Sequence, residues 1–276
     1  MKTDRRVLLL ILLAPAALIV CGCSEDPVQS SGDDPNASAV SRRIEPSDVK
    51  SKISSFTFVR IKYSGNSRGR QSSWFTDYPD SDLNFSARFR EVTGVETDLE
   101  GKVLKLTDPD LKQYPFIYIA EGGGVSFSDE EVMSLRQYLL GGGFLMVDDF
   151  WGEQEWQNFH AQIRRVFPER EPIELNLDHP IFHCFYDIRE KPQVPMIAVA
   201  LRNQSTGITW EREDAKEPHY RGMYDDQGRL MAIFCHNTDL GDGWEREDED
   251  EYYYKEFSLK KAYPMGINIV AYALNH

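Results

Sequence analysis

The chain has 276 residues, of which 28% are charged and 12% aromatic, and its formal net charge at pH 7 is −14. This acidic excess argues against nucleic acid as a partner, because proteins that bind a phosphate backbone neutralise it with Lys and Arg. The charge says nothing about the fold, but it favours solubility and the attraction of cations or basic partners.

The first residues predict export. A short basic start precedes the apolar residues 7–20, which have the length of a secretory signal and fall short of the roughly 20 apolar residues that span a bilayer. The letters VCGC at positions 20–23 resemble the lipobox of bacterial lipoproteins, which makes Cys23 the candidate lipidation site. The alternative is an ordinary signal peptide with incidental cysteines.

This pattern predicts three segments: a signal peptide at 1–22, a lipidated N-terminus with a disordered tether at 23–46, and a folded domain at 47–276. Removing the signal takes away three basic residues and one acidic residue, so the net charge of the remainder changes from −14 to −16. We expect the protein to be exported and held to the cell envelope by its lipid, at the outer membrane or the periplasmic face. About 230 residues are ample for one self-sufficient core.

The first half of the domain alternates short β-branched or apolar runs, typical of strands, with segments whose apolar residues recur every three or four positions, typical of helices. In chain order these are a strand at 56–64, a polar loop at 65–81, a helix at 82–93, strands at 102–106 and 115–120, a helix at 128–140, a strand at 143–149 and a helix at 153–167. Ser128 and Glu131 have the capping-box spacing. The alternation predicts an α/β fold with a mainly parallel sheet and helices on both faces.

The second half is less regular. The predicted elements are strands at 173–177, 195–201 and 229–237, a turn at 225–228 and a final helix at 264–274. Cys184 and Cys235 are the two cysteines of the folded part. They form either one disulfide or two buried thiols, and the sequence leaves both alternatives open.

Polar and aromatic residues follow the predicted strands. Because ligands of open parallel sheets bind beyond the carboxyl ends of the strands, we expect these residues to converge on one rim. The candidate ligand-binding residues are Trp74, Asp77, Tyr78, Glu121, Trp151, Asn237 and Asp239.

An acidic and aromatic rim suits two kinds of ligand. Clustered carboxylates suit a hard divalent cation such as Ca²⁺, and aromatic faces beside Asp and Asn suit sugars. The third alternative is local, since Asp80, Ser81 and Asp82 stand where the helix at 82–93 begins and are good capping residues.

Three residues at strand ends are candidate catalytic groups. Asp148 and Asp149 are adjacent carboxylates that end an apolar strand, and at least one of them needs a partner if it is buried. The same pair could bind a divalent metal ion, the candidate cofactor. His236 ends the last strand and could carry a proton near neutrality. His179 and His183 are four residues apart and form a second candidate metal pair, although Pro180 favours a turn there.

Five segments together resemble the bacterial domain-of-unknown-function family 4159, over about residues 54–275. They are WFTDYPDSDLNF (74–85), YPFIYIAEGG (114–123), LRQYLLGGGFLMVDDFWG (135–152), DHPIFH (178–183) and AYPMGINIVAYALNH (262–276). The resemblance implies a flavodoxin-like three-layer sandwich similar to class I glutamine amidotransferases, and it implies no activity. Where those enzymes carry a nucleophilic cysteine after a strand, this chain has Asp148, Asp149 and Phe150, so the glutaminase nucleophile is absent at that position.

The leading hypothesis is therefore a ligand-binding module of the cell envelope that engages a glycan or a partner protein. One alternative is a hydrolase, metal-dependent or not, that uses the strand-end aspartates. The other is a structural component of an envelope complex.

Overall fold

The computed structural model describes residues 55–63 and 74–276. The predicted signal peptide, the tether and Cys23 lie outside the described residues. Within the described ranges, no helix combines the length and apolar character that crossing a membrane requires.

Seven strands form one mixed sheet in the order β2-β1-β3-β4-β7-β6-β5. The strands are β1 (Phe56–Ile61), β2 (Thr97–Leu104), β3 (Phe116–Ile119), β4 (Phe144–Val147), β5 (Ile173–Glu174), β6 (His219–Tyr224) and β7 (Leu230–His236). The pairs among β2, β1, β3, β4 and β7 are parallel, whereas β6 pairs antiparallel with both β7 and β5. The predicted mainly parallel sheet is confirmed.

Helices connect the strands and cover the sheet. They are α1 (Asp80–Thr93), α2 (Asp129–Leu140), α3 (Gly152–Val166), α4 (Ile197–Arg202), α5 (Leu240–Glu245), α6 (Glu251–Tyr253) and α7 (Tyr263–Asn275). A π-helix, Tyr254–Ala262, joins α6 to α7. Three short 3₁₀ helices are Leu111–Gln113, Gly122–Gly124 and Pro180–Phe182.

Successive residues of the central strands enter two apolar clusters, one on each face of the sheet, as the period of two in a strand requires. On one face, Phe58 of β1 packs in a cluster with Phe85 of α1 and with residues of α5 and α7. On the other face, Val59 joins Leu135 of α2 and Phe159 of α3. The domain is thus a layer of strands between two layers of helices.

The predicted strand at 195–201 is wrong, because Ile197–Arg202 forms helix α4. A short apolar, β-branched run suits a buried strand or a buried helix equally well. Here the backbone N–H of Ile197 donates to the carboxylate of Asp242 at 2.7 Å, which satisfies one of the free N–H groups of the helix N-terminus. Strand β6 has no counterpart among the predicted elements, β2 begins at Thr97 rather than at 102, and β5 has two residues rather than five.

The two helix starts singled out in the sequence behave differently. Ser128 and Glu131 form the predicted capping box of α2. At α1 the helix begins at Asp80, two residues earlier than predicted, and its N-cap residue Pro79 makes no side-chain hydrogen bond. Asp82 does not cap this helix but accepts hydrogen bonds from Arg60 of β1.

Both cysteines of the domain are free and buried. Of the two alternatives that the sequence leaves open, the structure has the pair of buried thiols. Burial also raises the pKa of Cys184 to about 12, so this thiol is inert at neutral pH.

Candidate functional site

Each of four neighbouring strands is followed, at the same edge of the sheet, by a non-glycine residue whose backbone is in the left-handed region. Among the described residues, Asp77, Glu121, Asp149 and Asn237 are the non-glycine residues with positive φ, between 54° and 62°. Asp77 lies in the connection after β1, and the other three follow β3, β4 and β7 within two residues. Such conformations are uncommon outside glycine and cluster at functional sites. All four were predicted as site residues from their positions after strands.

Three carboxylates converge at this edge. Oxygen atoms of Asp77, Asp149 and Asp239 all lie within 4.8 Å of one another, and we call these three residues the aspartate trio. Asp149 and Asp239 are 8% and 5% exposed. The structure therefore brings together three residues that the sequence places 72 and 90 positions apart along the chain.

The trio has few partners of its own. The carboxylate of Asp149 makes no hydrogen bond or ion pair with any other described residue. Atom Oδ2 of Asp77 is buried and also has no hydrogen-bond partner in the described part of the chain. Asp239 is the exception, since its Oδ1 accepts from the backbone N–H of Asp242 at 2.8 Å and caps α5. Local capping thus accounts for one oxygen of the trio and leaves Asp149 unexplained.

Burial raises the pKa of all three carboxyl groups of the trio. Repulsion between neighbouring carboxylates raises these pKa values further, as Asp149 does for Asp239. Raised pKa values are expected where several carboxylates are buried close together and no cation compensates their charge.

Asp148 lies next to the trio and is fully buried. Its Oδ2 accepts from the hydroxyl of Tyr118 at 3.3 Å and from the backbone N–H of Gly241 at 3.0 Å, while its Oδ1 has no partner among the described residues. Burial raises the pKa of Asp148 to about 7, against the opposing effect of the Gly241 N–H. The predicted acidic pair after β4 is thus buried, with Asp149 in the trio and Asp148 beside it.

A second group of carboxylates adjoins the trio through Asp77 and contains Asp242 and Glu245. Its members are already engaged. Oδ2 of Asp242 accepts from the backbone N–H of Ile197 and from the hydroxyl of Tyr253 at 2.8 Å. Glu245 lies 2.7 Å from the guanidinium of Arg246. No sequence signal identified Glu245 as a neighbour of the site.

Arg60 lies beneath the site and is fully buried. Its Nε and Nη2 donate to Asp82, and Nη2 also donates to Ser81. Its Nη1 donates to the backbone oxygens of Trp74 and Thr76 at 3.0 and 2.9 Å. All five N–H groups are thereby used. Arg60 holds the backbone of the loop that carries Asp77, and no sequence signal identified it.

The aromatic residues of this loop form a small cluster of Trp74, Phe75 and Tyr78. The ring of Trp74 lies 5.9 Å from each of the other two. Phe75 is 52% exposed and Tyr78 is 41% exposed. Next to them, Glu121 accepts a hydrogen bond from the hydroxyl of Thr76 at 3.3 Å, which places this predicted ligand residue beside the loop.

Two other predicted ligand-binding residues serve the local structure. Trp151 is 3% exposed, so its ring has no face open to a ligand. The amide of Asn237 accepts from the backbone N–H of Gly152 at 2.8 Å and donates to the backbone oxygen of Glu217 at 2.8 Å. Their positions after β4 and β7 are as predicted. The buried ring of Trp151 and the engaged amide of Asn237 argue against the predicted role in recognition.

His236 is buried in an aromatic stack with Phe150, at a ring distance of 5.0 Å. Its Nε2 lies 3.0 Å from the backbone oxygen of Gly152, and its Nδ1 lies 3.0 Å from the guanidinium of Arg221. Burial lowers the pKa of His236 to about 4. The lowered pKa and the two occupied ring nitrogens argue against the predicted role of His236 as a proton carrier near neutrality.

The structure does not bring His179 and His183 to the trio. Nδ1 of His179 accepts from the backbone N–H of Ile181 at 3.2 Å and caps the 3₁₀ helix at Pro180–Phe182. The ring nitrogens of His183 contact Asp187 and the backbone oxygen of Leu177. These contacts fit the turn that Pro180 favours better than they fit a pair of metal ligands.

The geometry at the carboxyl edge is that of an oxygen-donor set. Carboxylate oxygens are the ligands that Ca²⁺, Mg²⁺ and Mn²⁺ prefer, and a cation among the trio would offset the repulsion that raises the three pKa values. Among the described residues, the two clusters of converging side chains consist of Asp and Glu and contain no Cys or His. The chemistry therefore points to a hard cation rather than to zinc or copper.

Comparison with known proteins gives a family and no activity. No curated protein matches the chain. The family model that does match covers residues 57–274, which include the trio and nearly all of β1 and α7. The chain belongs to the family described as a domain of unknown function, DUF4159.

Proposed function

We propose that the domain is a ligand-binding module organised by one divalent cation, which Asp77, Asp149 and Asp239 bind at the carboxyl edge of the sheet. The observation that carries the proposal is the nearly buried carboxylate of Asp149, which has no partner among the described residues and lies within 4.8 Å of two further carboxylates. A buried charge normally has a partner or coordinates a metal.

The backbone supports this proposal independently of the side-chain distances. Asp77 and Asp149 both have positive φ, at 62° and 57°. An aspartate in that region costs up to a few kcal/mol and persists where the surrounding structure enforces it. Arg60 provides such enforcement for the loop of Asp77 by binding the carbonyl groups of Trp74 and Thr76.

The finer fold and the cell location are part of the proposal. The order β2-β1-β3-β4-β7 has the pattern 2-1-3-4-5 of flavodoxin-like sheets, which supports the flavodoxin-like, amidotransferase-like sandwich. Asp148, Asp149 and Phe150 stand where those enzymes carry the glutaminase nucleophile. A lipid on Cys23 would hold the module at the cell envelope, where a glycan or an envelope protein would be its ligand.

Metal-dependent hydrolysis is a second candidate function. Three carboxylates supply fewer oxygens than the six to eight ligands that Ca²⁺ takes, so about half of the coordination positions would remain for water and substrate. A bound cation lowers the pKa of its water and makes it a nucleophile. Turnover of p-nitrophenyl esters, phosphates or glycosides that disappears in Asp149→Asn would favour this candidate over binding alone.

Thermal unfolding of the full chain in detergent tests the cation. Samples contain EDTA, Ca²⁺, Mg²⁺, Mn²⁺ or Zn²⁺. A cation at 100 times its Kd stabilises the folded state by about 2.7 kcal/mol. For a domain of this size that raises the Tm by roughly 5–10 °C. We expect this shift with a hard cation and its loss in Asp149→Asn.

The matched control is Asp226→Asn, which removes one exposed carboxylate from the turn between β6 and β7. It should keep the full shift. A wild-type protein whose Tm is the same in EDTA and in every cation would overturn the proposal, and so would an undiminished shift in Asp149→Asn.

A further inference from the structure

The two most exposed aromatic rings of the described part lie in one loop. Eight large apolar side chains are exposed over the described part as a whole, and six of them are aliphatic. The two aromatic ones, Phe75 and Tyr78, flank Asp77 in the chain. Scattered single apolar residues on a surface are ordinary, but two aromatic rings beside a candidate cation ligand are a recognisable combination.

We propose that the module binds a neutral sugar, whose ring stacks on Phe75 and Tyr78 while its hydroxyl groups complete the coordination of the cation held by the aspartate trio. This inference rests on the proposed function. A sugar ring offers an apolar C–H face to an aromatic ring, and its vicinal hydroxyls are neutral oxygen ligands of the kind that Ca²⁺ accepts.

The charge around the site selects a neutral ligand over an anionic one. Three guanidinium groups act on the site carboxylates, and each is already paired with an acidic side chain. The pairs are Arg60 with Asp82, Arg212 with Glu155 and Arg246 with Glu249. A phosphate or carboxylate ligand would therefore meet Glu121 and the trio, with the cation and Lys62, whose Nζ lies 5.2 Å from the ring of Trp74, to attract it.

The exposed area selects a small ligand over a protein. An aromatic side chain buries 150–250 Å² when fully covered, so Phe75 and Tyr78 at about half exposure offer roughly 200 Å² together. A stable protein interface needs about 800 Å² on each partner. The two rings suffice for one or two sugar residues and fall well short of such an interface.

The loop is also held in place before a ligand arrives. The ring of Trp74 contacts both rings and packs against the apolar cluster that contains residues of α2 and α3. Arg60 binds the backbone oxygens of Trp74 and Thr76, and its guanidinium lies 5.8 Å from the ring of Tyr78. A preformed aromatic surface loses little conformational entropy on binding.

The test uses the full chain in detergent, loaded with the cation that gives the largest Tm shift. The probes are an array of neutral oligosaccharides, their sulfated and phosphorylated counterparts, and polylysine. We expect binding to neutral oligosaccharides that EDTA abolishes. Phe75→Ala and Tyr78→Ala should each weaken it at least tenfold, whereas Tyr78→Phe keeps the ring and most of the affinity. Leu259→Ala, which truncates an exposed side chain elsewhere, is the matched control.

Cation binding is measured on the same samples by the Tm shift, which separates the two proposals. A retained shift with no neutral oligosaccharide bound overturns the sugar inference and leaves the cation site standing. Oligosaccharide binding without any cation shift overturns the cation site and with it the proposed coordination. Preference for charged glycans or polylysine, or undiminished binding in Tyr78→Ala, also overturns the inference.

Discussion

Arg60 is the one charged residue of strand β1, and the structure buries it completely. It is tolerated because Asp82 neutralises it at 2.6 Å and because Ser81 and two backbone oxygens take its remaining N–H groups. Its guanidinium also lies over the ring of Tyr118 on the neighbouring strand, at 4.9 Å. One residue thus connects the sheet, the start of α1 and the loop of the candidate site.

Asp82→Asn should destabilise the domain strongly. The substitution leaves the buried Arg60 without its counter-charge, and breaking one side of a buried ion pair costs roughly 3–5 kcal/mol. Urea unfolding followed by circular dichroism measures the loss. Asp80→Asn, on the same helix turn but exposed, should change the free energy of unfolding by less than about 0.5 kcal/mol. Equal effects of the two substitutions would contradict this role of Arg60.

Gly241→Ala should close the candidate cation site. A Cβ atom at Gly241 would lie 2.5 Å from Oδ2 of Asp77 and 3.0 Å from the hydroxyl of Tyr118, so the carboxylate must move. We expect at least a tenfold loss of cation affinity, measured by isothermal titration calorimetry.

Gly243→Ala is the control on the same helix. Its Cβ would meet the apolar side chains of Ala262 and Val194 and no carboxylate. That variant should lose stability and keep the affinity. Unchanged cation affinity in Gly241→Ala would show that Asp77 is not a ligand.

The position of a residue after a strand could be predicted, whereas the direction of its side chain could not. Asp77, Asp149 and Asp239 converge as the strand ends predict. Trp151 and Asn237 share the same edge, but their side chains turn into the protein. The partners of Arg60 lie 14 to 22 residues away through a polar loop, and no periodicity in the sequence links them.

Among the secondary-structure elements, α2 carries the strongest local signal, and the structure confirms its capping box. By contrast, α4 owes its start to Asp242 across the fold, and β6 is a polar strand that pairs with β7. Elements with their own local determinants could be predicted from the sequence. Elements fixed by a distant partner could not, because the determining residue lies outside the segment.

Ser128→Ala should destabilise the domain by about 1 kcal/mol. The Ser128 hydroxyl accepts from the backbone N–H of Glu131 at 3.1 Å, and the Glu131 carboxylate accepts in return at 2.8 Å. Losing a side-chain N-cap typically costs 0.5–2 kcal/mol. Urea unfolding gives the value. Ser134→Ala in the middle of the same helix should be neutral or slightly stabilising, since alanine has the higher helix propensity.

At the scale of the whole molecule, the antiparallel strands β5 and β6 extend a parallel sheet on one side only. The four strands that supply the candidate site are consecutive in the sheet, so their carboxyl ends meet along one edge. This convergence follows from the βα alternation in the first half of the chain and could be predicted. The antiparallel addition rests on long-range pairing and could not.

The pH dependence of stability should contain a contribution from His236. Its pKa is lowered by burial from 6.5 to about 4, so the unfolded chain takes up a proton below pH 6.5 that the folded protein resists. Stability from this group is complete above pH 6.5 and is lost as the pH falls toward 4. The loss is roughly 3 kcal/mol in total.

His236→Gln isolates this contribution, because glutamine keeps a hydrogen-bonding side chain without titrating. Urea unfolding at pH 7, 6 and 5 should give a shallower decline in the variant than in the wild type. Parallel slopes for wild type and His236→Gln would refute the assignment.

The hairpin turn between β6 and β7 has a practical value that follows from the direction of its strands. His219 pairs with His236 at the edge of the candidate site, so the other end of this hairpin, at Asp225 to Gly228, points the opposite way. Asp226, Gln227 and Gly228 are exposed there. A biotinylation tag or fluorescent label inserted between Asp226 and Gln227 would anchor the protein to a sensor surface with its carboxylate edge facing the solution.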